Sequence, residues 1–368
     1  MNSLPPDIGN YTFCGFLGKG QFSEVYKVIN KQDGKYYACK VVDFIARERA
    51  HSKLDIQKEI DIMKSIESPY VVRFIDYFQD SKNGYLIMEL CEGGTLLKLI
   101  IKGHGLTNDL SKKLFFQILL GISNMHSHNI AHLDIKPDNI YLDDKMNVKI
   151  GDFDISTKFD DKKLTKSTSG TKYYISPECI SGNEYNPFIS DMWSLGITLY
   201  SMTTGRLPWR TKEKQEVFAQ IRAGDFSIPL TVIPEIKDVI QGLLQMNPED
   251  RWNIDDCLNS RWLYKMEEEK FFPKFKSNIC LINEDEIDEI DKTSMKSNRS
   301  TSQYNFTSQR RMSFDYRSYM MNSSKNGNSG MKSSVVTNTR NPFKLVVPRI
   351  NQNKTHEGPP ATLRKNPL

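Results

Sequence analysis

The stretch HLDIKPDN, residues 132–139, and the DFD segment at residues 152–154 are the segments around which the rest of this sequence is interpreted. The first segment contains Asp134 and Asn139, and Asp152 opens the second. Taken alone, a His-x-Asp segment is as typical of a surface turn as of a functional site. Motifs elsewhere in the chain must therefore decide between the two interpretations.

A glycine-rich segment near the start of the chain predicts a β-hairpin. Residues 18–25, GKGQFSEV, lie between two hydrophobic segments and carry two glycines, which is typical of a turn between strands. Glycine has no Cβ, so the backbone of such a turn can approach phosphate groups closely. Many hairpins carry two glycines, and this turn alone identifies no ligand.

A strand and a helix are predicted next. Residues 37–41, YACKV, place Lys40 in an apolar strand, where a lysine would ordinarily point to solvent. Apolar residues recur at helical spacing in residues 53–66, and this helix carries Glu59. Two further strands are predicted at residues 71–78 and 85–90, and a long amphipathic helix at residues 107–128.

In this order, the motifs resemble those of the eukaryotic protein kinases, which are G-x-G-x-x-G-x-V, V-A-I-K, H-R-D-L-x-x-x-N and D-F-G. Residues 170–178, GTKYYISPE, are similar to the family's G-T-x-x-Y-x-A-P-E segment, and the resemblance covers residues 11–263. It implies that Glu178 pairs with Arg251 and that a buried Asp191 accepts backbone N–H bonds from residues 132–139. Departures from the pattern include Ser23, Leu133, Asp154 and Ser176, which replace Gly, Arg, Gly and Ala.

The resemblance implies an α+β, bilobal protein kinase fold. A small lobe, residues 11–91, would be an antiparallel sheet with one helix, and a larger lobe, residues 92–263, would be mainly helical. Residues 1–10 form an N-terminal extension. Residues 264–368 carry an acidic run followed by Ser- and Asn-rich sequence with few large apolar residues, a composition that predicts a disordered tail.

The resemblance also assigns the residues of phosphoryl transfer, a reaction that depends on positioning and on neutralising phosphate charge. Asp134 would accept the proton of the substrate hydroxyl, and Lys136 would contact the γ-phosphate. Lys40 would bind the α- and β-phosphates and pair with Glu59. Asn139 and Asp152 carry oxygen ligands suited to Mg²⁺, with Mn²⁺ as the alternative.

The nucleotide site follows from the same alignment. Met88 would be the gatekeeper, and residues 89–91 the hinge whose backbone groups bind the adenine edge of ATP. The residues expected to bind the nucleotide are Leu17, Gly18, Gly20, Val25, Ala38, Lys40, Met88, Glu89 and Cys91.

Three functions remain open at this point. An active serine/threonine kinase is the leading hypothesis, closest in appearance to the calcium/calmodulin-dependent and AMP-activated group. A pseudokinase that acts as a binding scaffold usually lacks the lysine, the catalytic aspartate or the metal aspartate, but Lys40, Asp134 and Asp152 are all present. An inhibitory tyrosine or dual-specificity kinase is disfavoured by Lys136 and by the Gly-Thr pair at residues 170–171.

Composition and charge agree with a globular enzyme and a basic tail. The net charge is +5, and residues 264–368 hold 18 Lys and Arg against 11 Asp and Glu, so the rest of the chain is slightly acidic. No run of eighteen apolar residues predicts a membrane span, and residues 1–7 do not resemble a signal peptide. Six scattered cysteines without C-x-x-C spacing indicate reduced thiols in an intracellular, cytoplasmic protein, with nuclear entry left open.

The expected partners are ATP and protein substrates. Direct binding of nucleic acid is not expected, and the chain has no EF-hand loop for calcium. In the tail, Ser313 lies in the sequence RRMSF, which resembles a target site for basophilic kinases, and residues 343–350 are a candidate docking segment.

Two of the departures carry hypotheses. Leu133 cannot make the charge-assisted hydrogen bonds by which an arginine there binds a phosphorylated activation segment, here residues 155–178, so activity should not depend strongly on phosphorylation of that segment. Asp154 is one of the few residue types that adopt positive φ at modest cost. It should stiffen the DFD segment and bring a second carboxylate close to the metal.

Overall fold

The computed structural model describes residues 7–50, 55–159, 164–264 and 266. A five-stranded antiparallel sheet forms the first lobe, in the order β1-β2-β3-β5-β4. Its strands are β1 (Tyr11–Lys19), β2 (Ser23–Asn30), β3 (Tyr36–Asp43), β4 (Phe74–Gln79) and β5 (Asn83–Glu89). The glycine-rich turn joins β1 to β2, as the sequence predicts.

Side chains alternate between the two faces of this sheet, because successive Cβ atoms of a strand point in opposite directions. Val25 and Ala38 face the main hydrophobic core. Their neighbours Tyr26 and Cys39, which are paired in register across β2 and β3, pack in a smaller cluster on the opposite face. The main core is continuous with the helical lobe, so one face of the sheet is held against the rest of the domain.

Two helices follow β3 where the sequence predicts one. Helix α1 (Phe44–Arg49) is capped by Asp43, and helix α2 (Ile56–Ser65) is capped by Asp55, whose carboxylate accepts from the N–H of Gln57. The predicted start at residue 53 is therefore wrong, because Asp55 has an extended backbone and its side chain opens the helix at the next residue. Helix α1 has only six residues, too few for a periodic pattern to reveal it.

The second lobe is mainly helical. Short strands β6 (Gly94–Thr95), β8 (Ile140–Leu142) and β9 (Val148–Ile150) form one small sheet, and β7 (Ile130–Ala131) pairs with β10 (Thr157–Lys158). The helices are α3 (Leu96–Gly103), α4 (Asn108–Ser127), α5 (Pro177–Ser181), α6 (Pro187–Thr204), α7 (Lys214–Ala223), α8 (Pro234–Leu243) and α9 (Ile254–Leu258).

The apolar stripe predicted for residues 107–128 becomes the buried face of α4, with Leu114, Ile118 and Ile122 fully buried. Helix α6 lies at the centre of the lobe, and Trp193 within it is fully buried. An α+β architecture with a sheet lobe and a helical lobe is thus confirmed. Among the described residues, no helix combines the length and the apolar character that crossing a bilayer requires. The predictions for Ser313 and for residues 343–350 lie outside the described residues.

Candidate active site

A cavity between the sheet and the helical lobe brings together residues from distant parts of the sequence. Val25, Lys40 and Met88 reach it from the sheet, Glu59 from α2, and Asp152 from the segment after β9. Leu17 and Ala38 are buried beside them in the same core. Gly18 is near the end of β1 and is paired with Val25 of β2, and Gly20 lies in the turn between the two strands. Of the predicted nucleotide residues, Val25, Lys40 and Met88 line this cavity.

Lys40 is the centre of the charged network in this cavity. Its side chain is only 5% exposed, and its Nζ lies 2.9 Å from Oε1 of Glu59 and 3.3 Å from Oδ1 of Asp152. A third carboxylate, that of Asp154, is closer still, with Oδ1 at 2.7 Å. Burial alone would lower the pKa of Lys40, but the three carboxylates outweigh it and raise the pKa. The lysine is therefore charged.

Glu59 shares this crowded environment. Burial and, to a lesser extent, the charges of Asp154 and Asp152 raise the pKa of Glu59, Lys40 opposes them, and the net result is a pKa of about 8. Its Oε1 accepts from Lys40, while its Oε2 has no hydrogen-bond partner within the part of the chain that the structure describes. Lys40 thus contacts three carboxylates at once.

The catalytic loop, residues 132–139, is held in place by hydrogen bonds to Asp191 on α6. The backbone N–H groups of His132 and Leu133 each donate to the carboxylate of Asp191 at 2.8 Å, and Asp191 is 1% exposed. Leu133 has a φ of 65°, an unusual conformation for a residue with a branched side chain. The predicted scaffold role of Asp191 is confirmed.

The side chain of Asp134 is 15% exposed and is surrounded by hydrogen-bond donors. Nζ of Lys136 lies 2.6 Å from its Oδ2, and the backbone N–H and hydroxyl of Thr171 donate to its Oδ1 at 3.0 and 2.7 Å. Burial alone would raise the pKa of Asp134, but Lys136 and the hydroxyl of Thr171 outweigh it and hold the pKa below its usual value. The carboxylate is ionised at neutral pH. The sequence placed Thr171 in a family motif but did not predict its hydrogen bond to Asp134.

The oxygen atoms proposed for a metal ion lie at the other end of the loop. The amide of Asn139 donates through Nδ2 to the backbone oxygen and to Oδ2 of Asp134 at 2.9 and 3.0 Å. This orientation leaves Oδ1 of Asn139 buried and without a hydrogen-bond partner among the described residues. The backbone oxygen of Asn139 accepts from the N–H of Gly151 at 3.0 Å, which ties it to the segment that carries Asp152. An orphaned amide oxygen and a nearby carboxylate fit a hard divalent cation.

The prediction that Asp154 adopts a positive φ is wrong. Positive φ occurs two residues earlier, at Asp152 (65°), and not at Asp154. Its carboxylate instead reaches Lys40 and, at 3.5 Å, Nη2 of Arg47 on helix α1. Phe153 between the two aspartates is 1% exposed and packs on the ring of His132, with centroids 5.6 Å apart.

The hinge residues have distinct tasks. Met88 is paired with Ala38 across β5 and β3. Both carboxylate oxygens of Glu89 lie 3.0 Å from Nζ of Lys149, and its N–H donates to the oxygen of Arg73. The side chain and the backbone N–H of Glu89 are therefore engaged in bonds within the chain, and binding of adenine by the hinge backbone stays a prediction. Cys91 is 1% exposed.

Another predicted contact fixes the end of the activation segment. Arg251 donates from Nη1 and Nη2 to the two oxygens of Glu178 at 2.5 and 2.9 Å, so this prediction is confirmed. A contact that the sequence did not predict holds the middle of the segment. The hydroxyl of Tyr185 donates to the backbone oxygen of Ser167 at 2.6 Å, and Thr165 and Tyr185 exchange two backbone hydrogen bonds of 3.0 Å.

The family model for the protein kinase domain matches residues 11–263 of this chain. The chain belongs to the protein kinase family. This kinase is 33% identical over 248 residues to serine/threonine-protein kinase PLK1 of Xenopus tropicalis, a match that covers 67% of the chain and 41% of that protein. It is 30% identical over 264 residues to serine/threonine-protein kinase polo of Drosophila melanogaster, covering 72% of the chain and 46% of that protein.

A third relative is CBL-interacting serine/threonine-protein kinase 19 of Arabidopsis thaliana, 29% identical over 295 residues, which are 79% of the chain and 61% of that protein. The chain thus spans between 41% and 61% of the length of these relatives. The prediction of a eukaryotic protein kinase of the serine/threonine type is confirmed at the level of the family. Protein kinases use ATP and divalent metal ions.

Proposed function

We propose that this kinase transfers the γ-phosphate of ATP to serine or threonine hydroxyls of protein substrates. The observation that carries the proposal is the arrangement around Asp134, whose carboxylate is bonded to Lys136 and to Thr171. Lys40, bonded to Glu59 and to Asp152, lines the cavity between the sheet and the helical lobe. These contacts support a complete set of phosphoryl-transfer groups in one site.

Nucleotide binding is proposed for the cavity beneath the glycine-rich turn. The backbone oxygen of Glu89 and the backbone of Cys91 would bind the adenine edge, and Met88 would limit the depth of the cavity. Lys40, kept charged by its carboxylate neighbours, would bind the α- and β-phosphates. Its pairing with Glu59 aims the ammonium group, since an unpaired lysine side chain has several rotatable bonds.

Asn139 and Asp152 would hold Mg²⁺, which neutralises phosphate charge when it is bound. Mg²⁺ is the ion that we propose, with Mn²⁺ as the alternative, because both ions take carboxylate and amide oxygens as ligands. The distance of Asn139 from Asp134 is short enough for direct hydrogen bonds, so the metal ligands and the catalytic carboxylate are positioned as one unit.

Asp134 would accept a hydrogen bond from the substrate hydroxyl, orient it toward the γ-phosphate and take its proton. Its lowered pKa keeps it ionised at neutral pH, although it makes the carboxylate a weaker base. Its main contribution is therefore orientation, as expected for a reaction that depends on positioning. Lys136, 2.6 Å from Asp134, would place its charge beside the transferred phosphoryl group.

We also propose that activity does not depend strongly on phosphorylation of the activation segment. Leu133 carries no cation that would need a phosphate partner. The segment is instead supported by hydrogen bonds within the chain, because the backbone oxygen of Ser167 accepts from the hydroxyl of Tyr185 and from Sγ of Cys179 at 3.1 Å. Tyr185 and Cys179 are buried, so these bonds are protected from water.

The organisation of the chain is part of the proposal. Residues 11–263 would be the catalytic domain, with lobes at 11–91 and 92–263, and residues 264–368 would be a tail that docks partners or is phosphorylated at Ser313. A cytoplasmic location, with nuclear entry open, is supported by free thiols at the five described cysteines.

The test compares Lys40→Met and Asp134→Asn with the parent on a generic protein substrate, followed by phosphoamino-acid analysis. Both variants should remain folded and lose at least about 100-fold in turnover, since general-base and positioning groups typically contribute 10²–10⁴-fold. Asp144→Asn is the matched control, because Asp144 is exposed and should leave turnover unchanged. Phosphotyrosine as the main product, or more than about a tenth of the activity left in Asp134→Asn, would contradict the proposal.

A further inference from the structure

Asp154 stands where the family has glycine, and its carboxylate is the closest of the three that contact Lys40. Nζ of Lys40 lies 2.7 Å from Asp154, against 2.9 Å for Glu59 and 3.3 Å for Asp152. The side chain of Asp154 is 28% exposed, so most of it is enclosed. A glycine at this position would leave Lys40 with two carboxylates.

Arg47 accompanies this additional carboxylate. It lies on helix α1, its side chain is 8% exposed, and its Nη2 is 3.5 Å from the same oxygen of Asp154 that contacts Lys40. Nε of Arg47 is buried without a hydrogen-bond partner among the described residues. A buried cation without a counter-ion is costly, so Arg47 and Asp154 balance each other.

The arrangement matters because the carboxylates around Lys40 have different tasks. Asp152 is the proposed metal ligand, and an oxygen that binds a cation is less available to an ammonium group. When Asp152 binds a cation, Lys40 keeps its contacts with Glu59 on helix α2 and with Asp154 in the DFD segment. Asp154 thereby gives Lys40 a second anchor beside Glu59.

We propose that Asp154 is a positioning residue that aims Lys40 at the nucleotide phosphates and is itself held in place by Arg47. The inference rests on the proposed role of Lys40. It is supported by contacts that run from Arg47 on helix α1 through Asp154 to Lys40. Because Phe153 is buried beside Asp154, the same contacts hold the DFD segment against the sheet lobe.

The experiment measures KM for ATP, turnover and melting temperature of the full chain in a double-mutant cycle. The variants are Arg47→Met, Asp154→Gly and the double variant, with Asp154→Asn as the conservative replacement. Controls are Asp144→Asn and Arg222→Met, since both residues are exposed. We expect Asp154→Gly to raise KM for ATP about tenfold, or about 1.4 kcal/mol, with a smaller change in turnover. Asp154→Asn, which keeps a hydrogen-bond acceptor, should raise it less.

The proposal predicts that the effect of Arg47→Met differs between the parent, which has Asp154, and the Asp154→Gly variant. In the parent, this substitution should raise KM for ATP about threefold and lower the melting temperature. In Asp154→Gly, it should change KM by less than twofold and raise the melting temperature, because it removes a buried cation that has lost its partner. Residues that act through one another are non-additive in this way.

Equal effects of Arg47→Met in both backgrounds would overturn the proposal, as would a KM for ATP within twofold of the parent in both Asp154→Gly and Asp154→Asn. A lower melting temperature with unchanged KM would show that the pair only stabilises the fold. If Asp154→Gly does not fold, the cycle is run with Asp154→Asn. Full activity of Lys40→Met would instead show that the proposed function itself is wrong.

Discussion

The Glu178–Arg251 pair provides a sharp test of what stabilises the helical lobe. The side chain of Arg251 is fully buried, and that of Glu178 is 12% exposed. The guanidinium makes two bonds to Glu178 and two more to the backbone oxygens of Ile189 and Gln245, at 3.0 and 3.1 Å. It also lies over the ring of Trp193, 5.2 Å from the centroid. The pair thus joins the end of the activation segment to the residues that follow α8.

Glu178→Gln removes the charge but nearly preserves the shape of the side chain. It leaves the guanidinium buried with only neutral acceptors, and breaking a buried ion pair in this way typically costs about 3–5 kcal/mol. For a domain of this size, that loss corresponds to a fall of roughly 6–20 °C in melting temperature. The matched control is Asp238→Asn, which removes an exposed ion pair with Arg261, at 44% and 82% exposure, and should cost less than about 1 kcal/mol.

Urea unfolding followed by tryptophan fluorescence measures the free energy of unfolding of both variants. The double variant Glu178→Leu with Arg251→Met should lose less than the sum of the two single substitutions, because it leaves no unpaired charge. A loss below about 1 kcal/mol for Glu178→Gln, no larger than that of the control, would refute the reasoning.

The remaining predictions concern the hinge and the activation segment. Gly93→Ala should destabilise the domain by about 1–3 kcal/mol in the same urea assay, because the new Cβ would lie 2.5 Å from the backbone oxygen of Asp143. Gly103→Ala, where no atom lies within 4 Å of the new Cβ, should be neutral or stabilising, and equal losses would contradict the steric argument. Simultaneous replacement of Thr165, Ser167, Thr168 and Ser169 by alanine should leave turnover within about tenfold of the phosphatase-treated parent. A larger drop would contradict independence from phosphorylation. Tyr185→Phe should lower turnover about two- to tenfold by removing one hydrogen bond, whether or not the protein is treated with phosphatase.

The sequence was sufficient wherever a local pattern carries the chemistry. Residues 132–139 hold Asp134, Lys136 and Asn139 close together because they belong to one short loop, although the resemblance predicted only their roles and not the hydrogen bonds among them. The amphipathic period of α4 likewise determined which of its faces is buried. The ordered series of motifs determined the family, and through it the long-range Glu178–Arg251 pair.

Only the tertiary structure decided the partners of Asp154. Its contacts with Lys40 and Arg47 join positions 114 and 107 residues apart, and no period or motif of either segment encodes their meeting. They meet because β3 and helix α1 pack over the DFD segment, so the direction of one carboxylate depends on how two lobes close around a shared core. The hydrogen bonds of Tyr185 to the activation segment have the same origin. Local sequence determines which groups are available, and packing determines which of them come within bonding distance.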